Sequence, residues 1–76
     1  MLMTQTLPIV IRKEGKWFVA EAPFLGVVSQ GKTVETAKKN IKEAVELYLE
    51  DSPETKRALR EEFSSAPFLT TLEVRV

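Results

Sequence analysis

The chain has 76 residues, of which 43% are hydrophobic and 29% are charged, and its 11 Lys and Arg residues balance its 11 Asp and Glu residues. This length suits one domain, spanning residues 1–76, and the balanced charge lacks the basic excess usual in nucleic-acid-binding proteins. The chain contains no Cys and no His, which excludes disulfides, thiolate metal sites and histidine-based catalysis.

The chain carries no signal of membrane insertion or export. No apolar stretch approaches the roughly 20 residues that cross a bilayer. Residues 1–7 lack the basic start of a signal peptide. We therefore expect a cytoplasmic protein without membrane contact.

Residues 7–12 and 17–21 predict a β-hairpin, because they are rich in β-branched and aromatic residues and Gly15 between them can take a positive φ. A two-residue loop at Glu14-Gly15 would pair Ile11 with Phe18. The predicted core face of the hairpin carries Leu7, Ile9, Ile11, Phe18 and Ala20. Ala20 is small enough to let a helix approach this face. The other face carries Val10, Arg12, Trp17, Val19 and Glu21.

The rest of the chain predicts one more strand, two helices and a final strand. Residues 22–26 read as a loop and 27–30 as the third strand, after which Thr33 is placed to cap a helix over 34–50. Ser52 and Pro53 begin a weaker second helix, which extends to residue 63, and alternation over 68–76 predicts a last strand. The helix at 34–50 has one apolar stripe, formed by Val34, Ala37, Ile41, Ala44, Val45 and Tyr48.

This order predicts an α+β fold, β-β-β-α-(α)-β, with one main helix packed on one face of a four-stranded sheet. The last strand would return beside the first in parallel, through a right-handed connection.

Three stretches resemble the HicB antitoxin family: GKWFVA at 15–20, VVSQGKT at 27–33 and AKKNIKEAVELYLE at 37–50. They share the order and spacing of the family's Gly-aromatic-aromatic-Val-Ala strand, Ser-Gln-Gly-x-Thr turn and Ala-x-x-Asn-Ile-x-Glu-Ala helix. The resemblance covers about residues 7–50 and implies a HicB-like domain with a degraded ribonuclease-H-like fold. It also implies an antitoxin that blocks HicA, a small messenger-RNA-cleaving toxin.

Two features depart from the family pattern. Many HicB proteins carry a C-terminal DNA-binding domain, whereas this chain ends soon after the predicted fold is complete, so we expect no direct DNA binding. The loop at residues 23–27 is an abbreviated form of the family's Pro-x-Leu-Pro-Gly-Cys stretch.

The residues favour binding over catalysis. The core face of the first strand carries no acid, whereas two-metal hydrolysis needs several convergent carboxylates. We therefore predict a protein-binding module that is not an enzyme and needs no cofactor or metal. The candidate binding residues are Val10, Arg12, Trp17 and Val19 on the second sheet face, with Phe24 and Leu25 in the loop.

Several alternatives stay open. The partner is a HicA-like toxin, or the chain is a stand-alone homo-oligomer, dimer or tetramer, without a toxin. The Trp17 cluster is an interface, or it is covered by the second helix, or Arg12 stacks on Trp17. Lys38, Lys39 and Lys42 favour a solvated helix face over a phosphate site, and Asn40 is a candidate to form a hydrogen bond with a loop.

Overall fold

The computed structural model describes residues 6–62 and 72–75. The elements in chain order are β1 (Val10–Glu14), β2 (Trp17–Ala22), β3 (Val27–Gly31), α1 (Val34–Glu50) and α2 (Pro53–Glu62). The α+β class is confirmed. The three strands form one antiparallel sheet in the order β1-β2-β3, so β2 is the central strand.

The predicted four-stranded sheet is wrong. In the described part of the chain the sheet has three strands, and residues 72–75, expected to belong to a fourth, form none. Leu72 is 84% exposed and Val74 is 65% exposed, so neither side chain helps to build a core. Residues 68–71 and 76 of the expected strand lie outside the described residues. An alternating apolar pattern shows that a segment could form a strand, but a strand also needs a neighbouring strand to pair with. The expected ribonuclease-H-like fold, which included the fourth strand, is likewise unsupported.

The β1–β2 hairpin turns at Gly15-Lys16, one residue later than predicted, so Glu14 pairs with Trp17 and Ile11 pairs with Ala20. Gly15 has a φ of 62°, and no described residue other than glycine has a positive φ. A type II′ turn requires a positive φ at its first loop position only, and Gly15 occupies that position. A loop at Glu14-Gly15 would have required the positive φ at Glu14. Each β1 residue pairs with a β2 residue two positions later than predicted. Because side chains alternate between the two sheet faces with a period of two, the predicted assignment of residues to faces is confirmed.

α1 packs on the face of the sheet that carries Ala20 and Ala22, both 0% exposed. Because alanine is small, the helix lies close to the central strand at these positions. The predicted core face is therefore confirmed. The buried cluster is Ala20, Ala22, Ala37, Ile41 and Val45, and the half-buried residues packed around it include Leu7, Ile9, Ile11, Phe18, Leu25, Val27 and Leu49.

The start of α1 is fixed by local hydrogen bonds, as predicted. Thr33 is the N-cap residue, and its Oγ1 accepts a hydrogen bond from the backbone N–H of Thr36 at 3.0 Å. One turn further on, the Asn40 side-chain amide donates to the backbone carbonyl of Gln30 at 2.8 Å, so its partner is a residue of β3. The helix is thereby tied to the strand that precedes it.

α1 does not lie centrally over the sheet. It packs mainly on β3 and β2 and touches β1 little, while α2 packs on α1, where Leu59 is buried. Within residues 6–62, the β1 side of this sheet face is consequently less covered by helix. None of the helices in residues 6–62 has the length and apolar character needed to span a membrane.

Candidate functional site

The sheet face opposite α1 is the candidate site, and we call it the open face. Strand pairing places Arg12 beside Val19, and Val19 beside Gln30, so all three strands contribute to it. Of the described helices, α1 packs on the other side and α2 contacts α1 alone, so the expectation that the second helix covers Trp17 fails for these residues. The open face comprises Val10, Arg12, Glu14, Trp17, Val19, Glu21, Val28 and Gln30.

The open face has apolar side chains at its surface. Trp17 is 40% exposed, Val10 is 43% exposed and Val28 is 54% exposed. Val19 on the central strand is only 7% exposed, because its neighbours on both flanking strands cover it. The face therefore has a filled centre and an apolar surface that a partner could cover.

Arg12 is held in place by two carboxylates of the open face. Its Nε lies 2.9 Å from Glu14 Oε1, and its Nη1 lies 3.3 Å from Glu21 Oε1. These hydrogen bonds, first that of Glu14 and then that of Glu21, raise the pKa of Arg12 above its ordinary value. The result is a permanently charged, positioned guanidinium that still has half its side chain in solvent.

A different cation lies over the Trp17 ring. Lys32 Nζ lies 5.8 Å from the ring centroid, which is within cation–π range. The cation over the Trp17 ring is therefore Lys32 and not Arg12, which was the alternative expected. Lys32 follows β3 directly. The contact brings the start of β2 and the end of β3 together at one edge of the open face.

The six predicted binding residues fall into two groups. Val10, Arg12, Trp17 and Val19 share the open face, but Phe24 and Leu25 lie in the loop after β2, at the opposite end of that strand from Trp17. The five residue steps of β2 separate these ends by about 17 Å.

The loop itself is compact. The backbone N–H groups of Leu25 and Gly26 both donate to the carbonyl of Ala22, at 3.0 Å and 2.9 Å. Leu25 packs against the core, whereas Phe24 is 57% exposed. The loop residues therefore belong to a different part of the surface from Trp17, and Leu25 faces the helix side.

Sequence reasoning missed Val28, Gln30 and Lys32. A signal for Val28 was present, because a loop of four residues at 23–26 pairs Ala22 with Val27 and so puts Val28 opposite Glu21. No sequence pattern placed Lys32 over Trp17, since that contact depends on how β2 and β3 come together.

The open face offers the means of noncovalent binding: apolar area, a fixed cation and hydrogen-bonding groups. Within the described ranges, no group of three or more Asp and Glu side chains is placed to hold a metal ion. No described side-chain nitrogen or oxygen is buried without a hydrogen-bond partner.

The chain is homologous to a UPF0150 protein of Helicobacter pylori (strain J99). The two are 58% identical over 43 residues, a stretch that covers 55% of this chain and 60% of the relative, which is less than two thirds of the relative's length. No protein-family profile matches the chain. No solved structure matches it either.

Proposed function

We propose that the chain is a non-catalytic protein-binding module with an antitoxin-like role, and that its open face occludes a small HicA-type RNA-cleaving toxin in the cytoplasm. One observation carries the proposal: Trp17, Val10 and Val28 expose apolar surface on a sheet face that no described helix covers. Exposed apolar patches of this kind, with a polar edge, mark protein interfaces.

The residue types are those that dominate binding energy. Trp and Arg are enriched at interface hot spots, and Arg12 is already oriented by Glu14 and Glu21, so little side-chain entropy is lost on binding. A Trp side chain presents up to about 250 Å². At about 25 cal/mol per Å², covering the 40% of Trp17 that is exposed contributes about 2 to 3 kcal/mol.

Steric occlusion needs complementary surface and no catalytic group. The HicB resemblance of about residues 7–50 supports a toxin as the partner.

The test is co-expression of the chain with a HicA-type toxin encoded beside its gene, with cell growth and co-purification as readouts. We expect the chain to restore growth, and Trp17→Ala to abolish rescue while the purified variant stays folded. Leu47→Ala is the matched control, because Leu47 is 64% exposed on α1 and away from the open face. Rescue by a folded Trp17→Ala variant would show that the open face is not the toxin site.

The second candidate is a stand-alone homo-oligomer, dimer or tetramer, of the same domain without a toxin. It is favoured by β1 and β3, which are the edge strands of the described sheet and offer backbone groups to another copy. Sedimentation equilibrium distinguishes the candidates. Concentration-dependent self-association of the wild-type chain, with no toxin captured from the host's extract, would replace the first candidate by the second.

A further inference from the structure

A groove of about 1110 Å³ lies beside α1, on the helix side of the sheet and away from the open face. Among the described elements, α1 sits over β3 and β2, and α2 packs on α1, so these elements cover the β1 side less. Its floor is apolar and consists of Leu7, Ile9, Ile41, Val45, Leu49 and Leu59. Leu7, Ile9 and Leu49 are half-buried, so they keep surface that a ligand could cover.

The rim of the groove is basic, although the chain as a whole has no net charge. Five cations stand on it against three carboxylates. In residues 6–62 and 72–75 both ion pairs belong to Arg12, so no rim cation has a carboxylate within 4.0 Å. The rim cations are Lys38, Lys39 and Lys42 from α1 and Lys56 and Arg60 from α2, and the carboxylates are Glu35, Glu46 and Glu50.

We propose that this groove binds an acidic amphipathic helix of a partner protein. The groove follows α1 from Glu35 to Glu50, a length of about 22 Å that matches about 15 residues of a bound helix. Apolar side chains at i, i+3 or i+4 and i+7 of that helix would cover the floor. Its flanking carboxylates would pair with the unpaired lysines.

Charge and apolarity together select this occupant. The phosphates of a nucleic acid would satisfy the cations but would leave the apolar floor in water. A basic helix would meet a rim on which five cations outnumber three carboxylates, so like charges would oppose its binding. The proposal is independent of the toxin-binding function, because the groove and the open face lie on opposite sides of the sheet.

The test uses the full chain and a fluorescein-labelled peptide of about 15 residues, with Leu on one helical face and Glu on the other, measured by fluorescence anisotropy. We expect saturable binding that weakens as salt is added. Lys42→Glu and Arg60→Glu should each weaken binding by about tenfold or more, because they place like charges in contact. Lys16→Glu, in the hairpin turn outside the groove, is the matched charge reversal and should leave binding unchanged.

A second peptide with the same composition but scattered Leu residues separates groove docking from simple charge attraction. We expect it to bind at least about tenfold more weakly. Equal binding of the two peptides, or no binding of the first, would overturn the proposal. So would tighter binding of single-stranded RNA with the same sensitivity to Lys42→Glu, or self-association lost in that variant, since these would identify a nucleic acid or a second copy as the occupant.

Circular dichroism checks that each variant is folded. If Lys42→Glu fails to fold, Lys38→Glu on the same rim takes its place, and retained peptide binding by Lys38→Glu and Arg60→Glu together would contradict the proposal.

Discussion

Gly31 at the end of β3 and Ala37 in α1 are in backbone contact: a methyl group added to Gly31 would lie 2.5 Å from the Ala37 nitrogen. The same methyl group would lie 2.9 Å from Thr36 Cβ. Gly31 does not have a positive φ. Glycine is therefore required here by the close approach of α1, and not by the backbone conformation.

Gly31→Ala should therefore destabilise the fold by about 1 to 3 kcal/mol, the usual range for overpacking against atoms that cannot move aside. Urea unfolding followed by circular dichroism measures this. Lys39→Ala, at an exposed position of α1, is the control and should change stability by less than about 0.5 kcal/mol. Equal midpoints for the two variants would show that α1 can shift away from β3 at little cost.

Two large apolar residues of α1 should respond very differently to truncation. Ile41 is 1% exposed, so Ile41→Ala removes core contacts and leaves a cavity, at a cost of about 2 to 5 kcal/mol. Leu47 is 64% exposed, and Leu47→Ala should cost less than about 0.5 kcal/mol. Thermal unfolding checks the pair, and similar losses would mean that Leu47 is covered in solution, for example by another copy.

The Asn40–Gln30 hydrogen bond should contribute measurably to the docking of α1. Asn40→Ala leaves the Gln30 carbonyl without this donor, which should cost about 1 kcal/mol. Asn40→Asp should be worse at neutral pH, because a carboxylate cannot donate and would face the carbonyl oxygen. Unfolding free energies measured in urea test the order, and an aspartate variant as stable as the wild type would contradict it.

Arg12 should matter for binding more than for folding. Its two ion pairs are well exposed to solvent, so Arg12→Gln should leave the unfolding midpoint nearly unchanged while weakening binding through the open face. The matched test compares the thermal midpoint with partner binding or self-association. A large stability loss with unchanged binding would reverse the assignment.

Because the pKa of Arg12 is raised, Arg12 should add no pH dependence to stability near neutrality. A base whose pKa is higher in the folded state stabilises below its unfolded pKa, and that contribution disappears only as pH rises through the folded pKa. Both values lie far above neutrality, so wild type and Arg12→Gln should show parallel stability curves between about pH 6 and 9. Diverging curves would mean that another group titrates against Arg12.

The sequence by itself determined the features that depend on local geometry. Because strand side chains alternate with a period of two, the apolar pattern identified the core face even though the pairing of Ile11 was displaced by two residues. Helical spacing and the Thr33 hydroxyl likewise defined α1 and its first residue, since capping involves only neighbours in the chain.

Tertiary structure alone decided the rest, because it depends on contacts between distant residues. The turn at Gly15-Lys16 set the register of the hairpin, and the number of strands depended on which segments pair with a sheet edge. The close contact at Gly31 and the hydrogen bond of Asn40 hold α1 against β3. In the described part of the chain, that off-centre position of α1 leaves a groove beside it on the helix side of the sheet. Strand pairing brings Val28 onto the open face with Trp17. A local pattern reports which side of an element is apolar, but the burial of that side is decided by long-range packing.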